Sequence, residues 1–405
     1  MKRSGQADLP LHYGKVPAWL YERMRTMGLA ITEAVVEEYG PDEFLRRISD
    51  PFWFQSFGAV LGMDWHSSGI TTSVMGALKH ALNPVSNELG IYICGGRGKH
   101  SRKTPDELLQ IADSTGLNGT ELVRTSKLTA KVDNTALQDG FQLYLHSFIL
   151  TKSGTWAVVQ QGMNEGNNMA RRYHWLSEKV TSFVDEPHTA VIGQNEGLIL
   201  NLTAHPAEPS REGILSIGRE NPDRMLPEIR KVLMPRHHEV RVTDVDMKRL
   251  GTILAMAHDN QFEKFDDLLL LQGLGPKTLR SLTLVSEVIH GTPSRFLDPA
   301  RFSFAHGGKD GHPFPVQTAV YDEAIHFLQD AVRKAKIGET EKKDSIKKLS
   351  DLLFRLEKDF VPNPGRFERY IQQERRESKD FGGRTVFDDK KKKRKDSDDG
   401  QLSLF

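Results

Sequence analysis

The stretch Phe265-Asp-Asp-Leu-Leu-Leu-Leu-Gln-Gly273-Leu-Gly275-Pro-Lys277-Thr-Leu-Arg280-Ser-Leu282 decides how the second half of this chain is read. It spells a helix, a turn at Gly273-Leu274-Gly275, and a second helix entered through Pro276. Glycine reaches the positive φ that a tight turn needs, and without a side chain it lets another backbone come close. Proline suits the first turn of a helix, where its missing N–H costs nothing. The second helix therefore starts with amides turned outward, an arrangement that attracts phosphate. Lys277, Thr278 and Arg280 stand beside them.

The pattern apolar-x-Gly-apolar-Gly-x-Lys-x-Leu-x-x-Leu resembles the helix-hairpin-helix motif. That resemblance implies a grip on the DNA backbone without reading of base sequence. Gly273, Gly275, Lys277, Thr278 and Arg280 are its expected contacts.

Working outward, residues from Asp244 to about 376 carry a helical pattern, extended by Val285 and Ile289 and by two further helices near 318–336 and 342–358. They are expected to form an all-helical domain over 244–376. Within it, Asp298 to Pro315 is dense in glycine and ionisable groups, Lys309 among them. Such a loop in a helical domain is the kind that carries function. Upstream, 204–243 is rich in Pro, Glu and Arg and reads as a linker with at most a short helix near 222–233.

Residues 1–203 are expected to form a mixed α/β domain with a small sheet, giving an α+β protein. Helices are predicted at 17–38 and 41–48, and another around Met75, Leu78 and Leu82. The aromatic block Pro51 to Phe57 suits core packing more than base stacking. Leu89 to Cys94 reads as a strand running into a basic glycine-rich loop with Arg97, Lys99, Arg102 and Lys103. That loop suits DNA contact and plain solvation equally. Thr104, Pro105 and Glu107 then form a capping-box pattern. Phe141–Leu150 and Trp156–Gln161 flank Lys152-Ser-Gly154 as a β-hairpin, with strands also predicted at 128–132 and 198–203.

Composition bounds the partners. Of 405 residues, 38% are hydrophobic and 27% charged, which suits a globular protein of two or three domains. Net charge is +1, so a nucleic-acid surface has to be a local patch. Cys94 is the one cysteine, which excludes an intramolecular disulfide framework. No apolar run reaches the length of a membrane span, so no membrane partner is expected, and the expected location is cytoplasmic, with the nucleoid.

The last segment, 377–405, collapses into a charge block that cannot bury enough apolar surface to order itself. Yet it ends in Gln401-Leu402-Ser-Leu404-Phe405. This tip resembles the peptide by which bacterial repair and replication proteins dock on the DNA sliding clamp. The resemblance implies that Gln401 makes amide hydrogen bonds while Leu402, Leu404 and Phe405 fill an apolar pocket.

Several phrases together resemble the uncharacterised domain-of-unknown-function family 763, over roughly 8–340. They are Gly62 to Gly69, Trp156 to Asn164, Arg171-Arg-Tyr-His-Trp175 and Ala305 to Gly311. That likeness brings no settled mechanism. The expected activity is a metal-dependent, structure-selective DNA nuclease acting on branched DNA or on junctions of single strand and duplex. Phosphodiester hydrolysis with Mg2+ or Mn2+ needs converging carboxylates, with a histidine as an aid. Asp64, Asp139 and His146 are the catalytic candidates, and Asp64, Asp139 and Glu165 the metal candidates, with Asp133 nearby. The alternative is a glycosylase with AP-lyase activity. Gly273 to Thr278 resembles the hairpin of the endonuclease III family, which implies Lys277 as Schiff-base nucleophile and Asp298 as its acid partner. A clamp-tethered adaptor without catalysis is the third reading.

Overall fold

A computed structural model describes residues 16–63, 68–233, 247–300 and 318–358. Asp64, Lys309 and the clamp-type peptide Gln401, Leu402, Leu404 and Phe405 lie outside them. The described residues begin with four helices, α1 (Ala18–Tyr39), α2 (Pro41–Ser49), α3 (Pro51–Val60) and α4 (Gly69–Leu82), then the single turn α5 (Ser86–Leu89). Strand β1 (Ile91–Arg97), helices α6 (Thr104–Thr115) and α7 (Gly119–Lys131), and strands β2 (Leu137–Gln138), β3 (Gln142–Thr151), β4 (Trp156–Asn164), β5 (Met169–Leu176), β6 (Ala190–Ile192) and β7 (Leu198–Asn201) follow. Helices α8 (Glu208–Arg219), α9 (Pro222–Leu233), α10 (Met247–Asn260), α11 (Phe265–Leu269) and α12 (Pro276–His290), strand β8 (Phe296–Leu297), and helices α13 (Thr318–Lys334) and α14 (Glu339–Lys358) complete the described elements.

A five-stranded antiparallel sheet in the order β1-β3-β4-β5-β6 forms the middle of the molecule. Both of its faces are covered. Ile91, Ile93, Ile149, Val159 and Leu176 join a core with Phe54, Phe57, Val74 and Leu78 of the first helices, completed by Leu328, Val332 and Leu349 of α13 and α14. Their sequence neighbours Tyr92, Phe148, Leu150, Val158 and Trp175 point the other way, into a second core with α6, α7, α8 and α10–α12. A strand buried on both sides drops the apolar-polar alternation and reads as a continuous apolar run, as Phe148 to Leu150 does. The protein is mixed α/β, with a second small sheet in the order β2-β7-β8.

Three expectations are corrected here. Residues 128–132 are not a strand: Leu122, Thr125, Leu128 and Thr129 are spaced for one helix face, and the Asn118 side chain caps α7 by accepting from Glu121 N at 3.1 Å. The stretch read as a linker holds, besides the short helix expected near 222–233 (α9), a second helix, α8, because Ile214, Leu215 and Ile217 give α8 a buried face against α10 and α12. The capping box at Thr104 does not form. Glu107 reaches away from the helix to Gly95 N at 2.6 Å and Lys79 Nζ at 2.8 Å, while Thr104 Oγ1 donates to Ser101 O. Gly95 is needed there, since a Cβ would lie 2.3 Å from His146 O.

Candidate functional site

The α11–α12 turn is held by its apolar residues and by cations on its carbonyls. Leu271, Leu274, Leu279 and Leu282 are buried in the second core. Gly273 has φ +87°, where a side chain would be strained, although space for one exists. Gly275 is different: its φ of −121° suits any residue, and a Cβ would meet nothing within 4 Å. It faces open space. Arg249 donates to Gly273 O from Nε at 3.2 Å and Nη2 at 3.0 Å, and Lys131 Nζ donates to Leu274 O at 2.5 Å. Gln138 ties the turn to β2, donating to Pro276 O at 2.8 Å and accepting from Arg280 Nε at 2.9 Å.

These contacts frame a cavity of about 630 Å³ between the turn and the residues around β2. Lys277, Arg280 and Arg249 stand at it, Phe141 and Leu250 give apolar wall, and none of its described lining residues is acidic. No described side chain caps the first turn of α12, so its amides face the cavity without a partner among the described residues. Burial, with the neighbouring Arg249 charge second, pulls the Lys131 ammonium below the usual lysine range. Cations crowded this way favour an anion, and backbone amides at a helix start favour phosphate in particular.

Arg97 and Lys99 lie elsewhere, on the exposed connection from β1 to α6. The Arg97 guanidinium sits 5.8 Å from the Tyr144 ring centroid. A second, smaller cavity of about 190 Å³ opens beside them, lined by Arg102, Lys127, Tyr144, Ser126 and His146.

The carboxylates expected to bind metal do not gather. Asp139 is buried, accepting from Arg171 Nη1 at 2.8 Å, Tyr173 OH at 2.7 Å and Phe141 N at 3.0 Å. Glu165 is exposed in the turn between β4 and β5. His146 is buried and bonded to Ser126 and Gln160. Asp133 is tied to His188 and Trp175. Among the described residues no three His, Cys, Asp or Glu side chains form a metal-holding group, so Asp139, His146 and Glu165 do not fit the expected centre. Asp298 has its oxygens on Arg171 and on the amides of Glu196 and Ala300. Lys277 is exposed, without the enclosed apolar surroundings that a Schiff-base lysine uses.

The sequence reading passed over Lys131, Arg249 and Ser126. Lys131 and Arg249 sit within amphipathic helices, where a basic residue reads as a solvated face; only the packing shows their carbonyl partners at the turn. Ser126 gives no signal in the sequence at all.

No helix among the described residues is long and apolar enough to cross a membrane. No curated protein and no solved structure matches the chain. The model of the family described as a protein of unknown function, DUF763, matches residues 5–316, and the chain belongs to that family.

Proposed function

We propose that this protein grips the DNA backbone at the α11–α12 turn and is a repair enzyme that cleaves phosphodiester bonds at branched or junction DNA. The cavity at the start of α12, which no described acidic residue lines and no described side chain caps, with Lys277, Arg280 and Arg249 around it, carries this reading. Cations, amides and a partly apolar wall are what a sugar–phosphate chain asks for. In this reading the turn acts as a helix-hairpin-helix motif, and the terminal peptide from Gln401 to Phe405 brings the enzyme to the sliding clamp. The described carboxylates do not fit a Mg2+ or Mn2+ centre, so no catalytic step is assigned to either ion.

Fluorescence anisotropy with labelled duplex and forked DNA tests the grip. Lys277→Glu with Arg280→Glu should weaken binding at least 10-fold and flatten the dependence of log K on log salt. Unchanged affinity in the folded double variant ends the DNA reading. Incubation of the same DNAs with Mg2+ or Mn2+ should give cuts that EDTA suppresses if the chemistry is ion-dependent. Borohydride trapping of a DNA adduct, lost in Lys277→Ala, would instead mark a lyase. Binding with neither reaction leaves an adaptor. Removal of residues 401–405 should abolish capture on immobilised clamp.

A further inference from the structure

Four elements bring a serine, a histidine, a glutamine and an aspartate into one hydrogen-bonded line. His146 of β3 and Gln160 of β4 are cross-strand partners and share a face. Ser126 comes from α7, and Asp133 from the π-helical turn that follows it. Ser126 Oγ lies 2.9 Å from His146 Nε2, and His146 Nδ1 lies 2.9 Å from Gln160 Oε1. Gln160 Nε2 meets Asp133 Oδ2 at 2.5 Å and Thr129 O at 3.2 Å. Asp133 is held in turn by Trp175 Nε1 at 3.0 Å and His188 Nε2 at 2.5 Å.

The protons in this line can be assigned by elimination. A carboxylate and a carbonyl only accept, so the amide nitrogen of Gln160 must face Asp133 and Thr129. Its oxygen therefore faces His146 and also only accepts. His146 Nδ1 must carry a hydrogen. Burial lowers the His146 pKa, against the smaller pull of Gln160 and Asp133, so the ring is neutral and Nε2 holds a lone pair. The Ser126 hydroxyl donates into that lone pair. Nucleophile, base and orienting group stand in the order that activates a hydroxyl.

Ser126 and His146 also border the cavity of about 190 Å³, together with Arg102 and Lys127, and no acidic residue lines it among the described residues. We propose that Ser126 is a nucleophile activated by His146, and that it acts on a phosphate ester seated between Arg102 and Lys127. The Ser126 Oγ–P bond forms as the ester O–P bond breaks. His146 Nε2 takes the hydroxyl proton and passes it to the departing alkoxide. Water then attacks phosphorus and gives its proton to His146, and the Oγ–P bond breaks as Oγ recovers that proton. The sum is ester plus water to alcohol plus phosphate. Arg102 and Lys127 offset the charge on the phosphoryl oxygens, while Gln160 and Asp133 are positioning residues.

A fluorophosphonate, which loses fluoride to an activated serine, tests this on the full chain without DNA, so its failure leaves the backbone-grip reading standing. Intact-mass and peptide mapping should find one adduct on Ser126 in the wild type, none there in Ser126→Ala, and labelling at least ~10²-fold slower in His146→Gln. The labelling rate should fall as pH drops through the lowered His146 pKa. With EDTA present, bis(p-nitrophenyl) phosphate should be hydrolysed by the wild type and not by Ser126→Ala, and Arg102→Ala should raise KM more than it lowers kcat. An unlabelled wild type, or an adduct on another residue only, overturns the nucleophile. A labelled enzyme that leaves phosphate esters intact overturns the substrate class.

Discussion

Arg171 and Arg172 are neighbours on β5 and both are fully buried, yet they live in opposite electrostatic worlds. Strand alternation sends them to the two faces of the same sheet. Arg171 meets Asp139 at 2.8 Å and Asp298 at 2.7 Å, and its guanidinium stacks on Phe141 at 4.5 Å. Burial works against its charge, but the two carboxylates outweigh it and raise its pKa. Arg172 stacks on Phe54 at the same 4.5 Å but has no carboxylate partner among the described residues. It donates to His174 Nε2 at 2.8 Å and weakly to Thr71 Oγ1 at 3.4 Å, and its Nη2 has no partner among the described residues. With desolvation unopposed, its pKa falls to about 9. Burial alone says nothing about whether a charge stabilises; the partners decide.

That contrast is most exposed to test at Arg171. Arg171→Met strands two buried carboxylates that now share one cation, and removal of one partner of a buried pair costs about 3–5 kcal/mol. Chemical denaturation should show a loss in that range. A loss under about 1 kcal/mol would mean that water reaches Asp139 and Asp298 and that the pairing is incidental. The same substitution next door should go the other way. Arg172→Met keeps the length of the side chain and removes an unpaired charge, so stability should stay level or rise by up to about 2 kcal/mol. A marked loss there would show that the stacking on Phe54 and the bond to His174 outweigh desolvation. Tyr173 offers a finer probe of the paired side: Tyr173→Phe removes one hydrogen bond to Asp139 and should cost about 1–1.5 kcal/mol by the same measurement.

The Arg171/Arg172 pair also marks how far the sequence could be read. The β-hairpin of β3 and β4 and the strand β7 were legible, because β-branched and aromatic residues bounded by Lys152-Ser-Gly154 have few other solutions. The helices flanking Pro41 and Gly40, and α13 and α14, were legible from period and breakers. What misled was burial on both sheet faces. Gln142, Tyr144, His146 and Phe148 read as one face of a half-solvated strand, but a bulge between Leu143 and Leu145 shifts the register and from Leu145 on the strand is buried on both sides. His146 is thereby drawn into a hydrogen-bonded line with Ser126 and Gln160 rather than into a cluster of carboxylates. Asp139 was read as a metal ligand and proves to be the counter-ion of Arg171; nothing local in the sequence pairs residues 139, 171 and 298, which only the sheet and the β7–β8 pairing bring together. The turn at Gly273 could be read because its demands are local. The relay from Ser126 to Asp133 could not, since each link joins a different element.

The smallest expected effect is also the sharpest, because its sign is fixed by linkage. A base whose folded pKa lies at about 9, well below the usual arginine range that it keeps in the unfolded chain, holds fewer protons folded than unfolded between those values. Stability contributed by Arg172 must then rise with pH across that window, the reverse of the trend from Cys94, whose thiol is pushed up to about 12 by burial and which loses stability once the unfolded thiol ionises. His174, the nearest titratable group, is held well below its usual range by burial and by Arg172, so it stays neutral throughout and adds no slope. Taking the wild type minus Arg172→Met isolates the arginine, and between pH 8 and 9.5 the difference should shift by about 0.8 kcal/mol in favour of the wild type. A flat difference would mean that the guanidinium keeps its proton, which in this apolar setting requires an anion or water at Nη2. The two arginines would then differ only in which partner neutralises them, and the face of the sheet against α3 and α4 would become the next place to look for a bound anion.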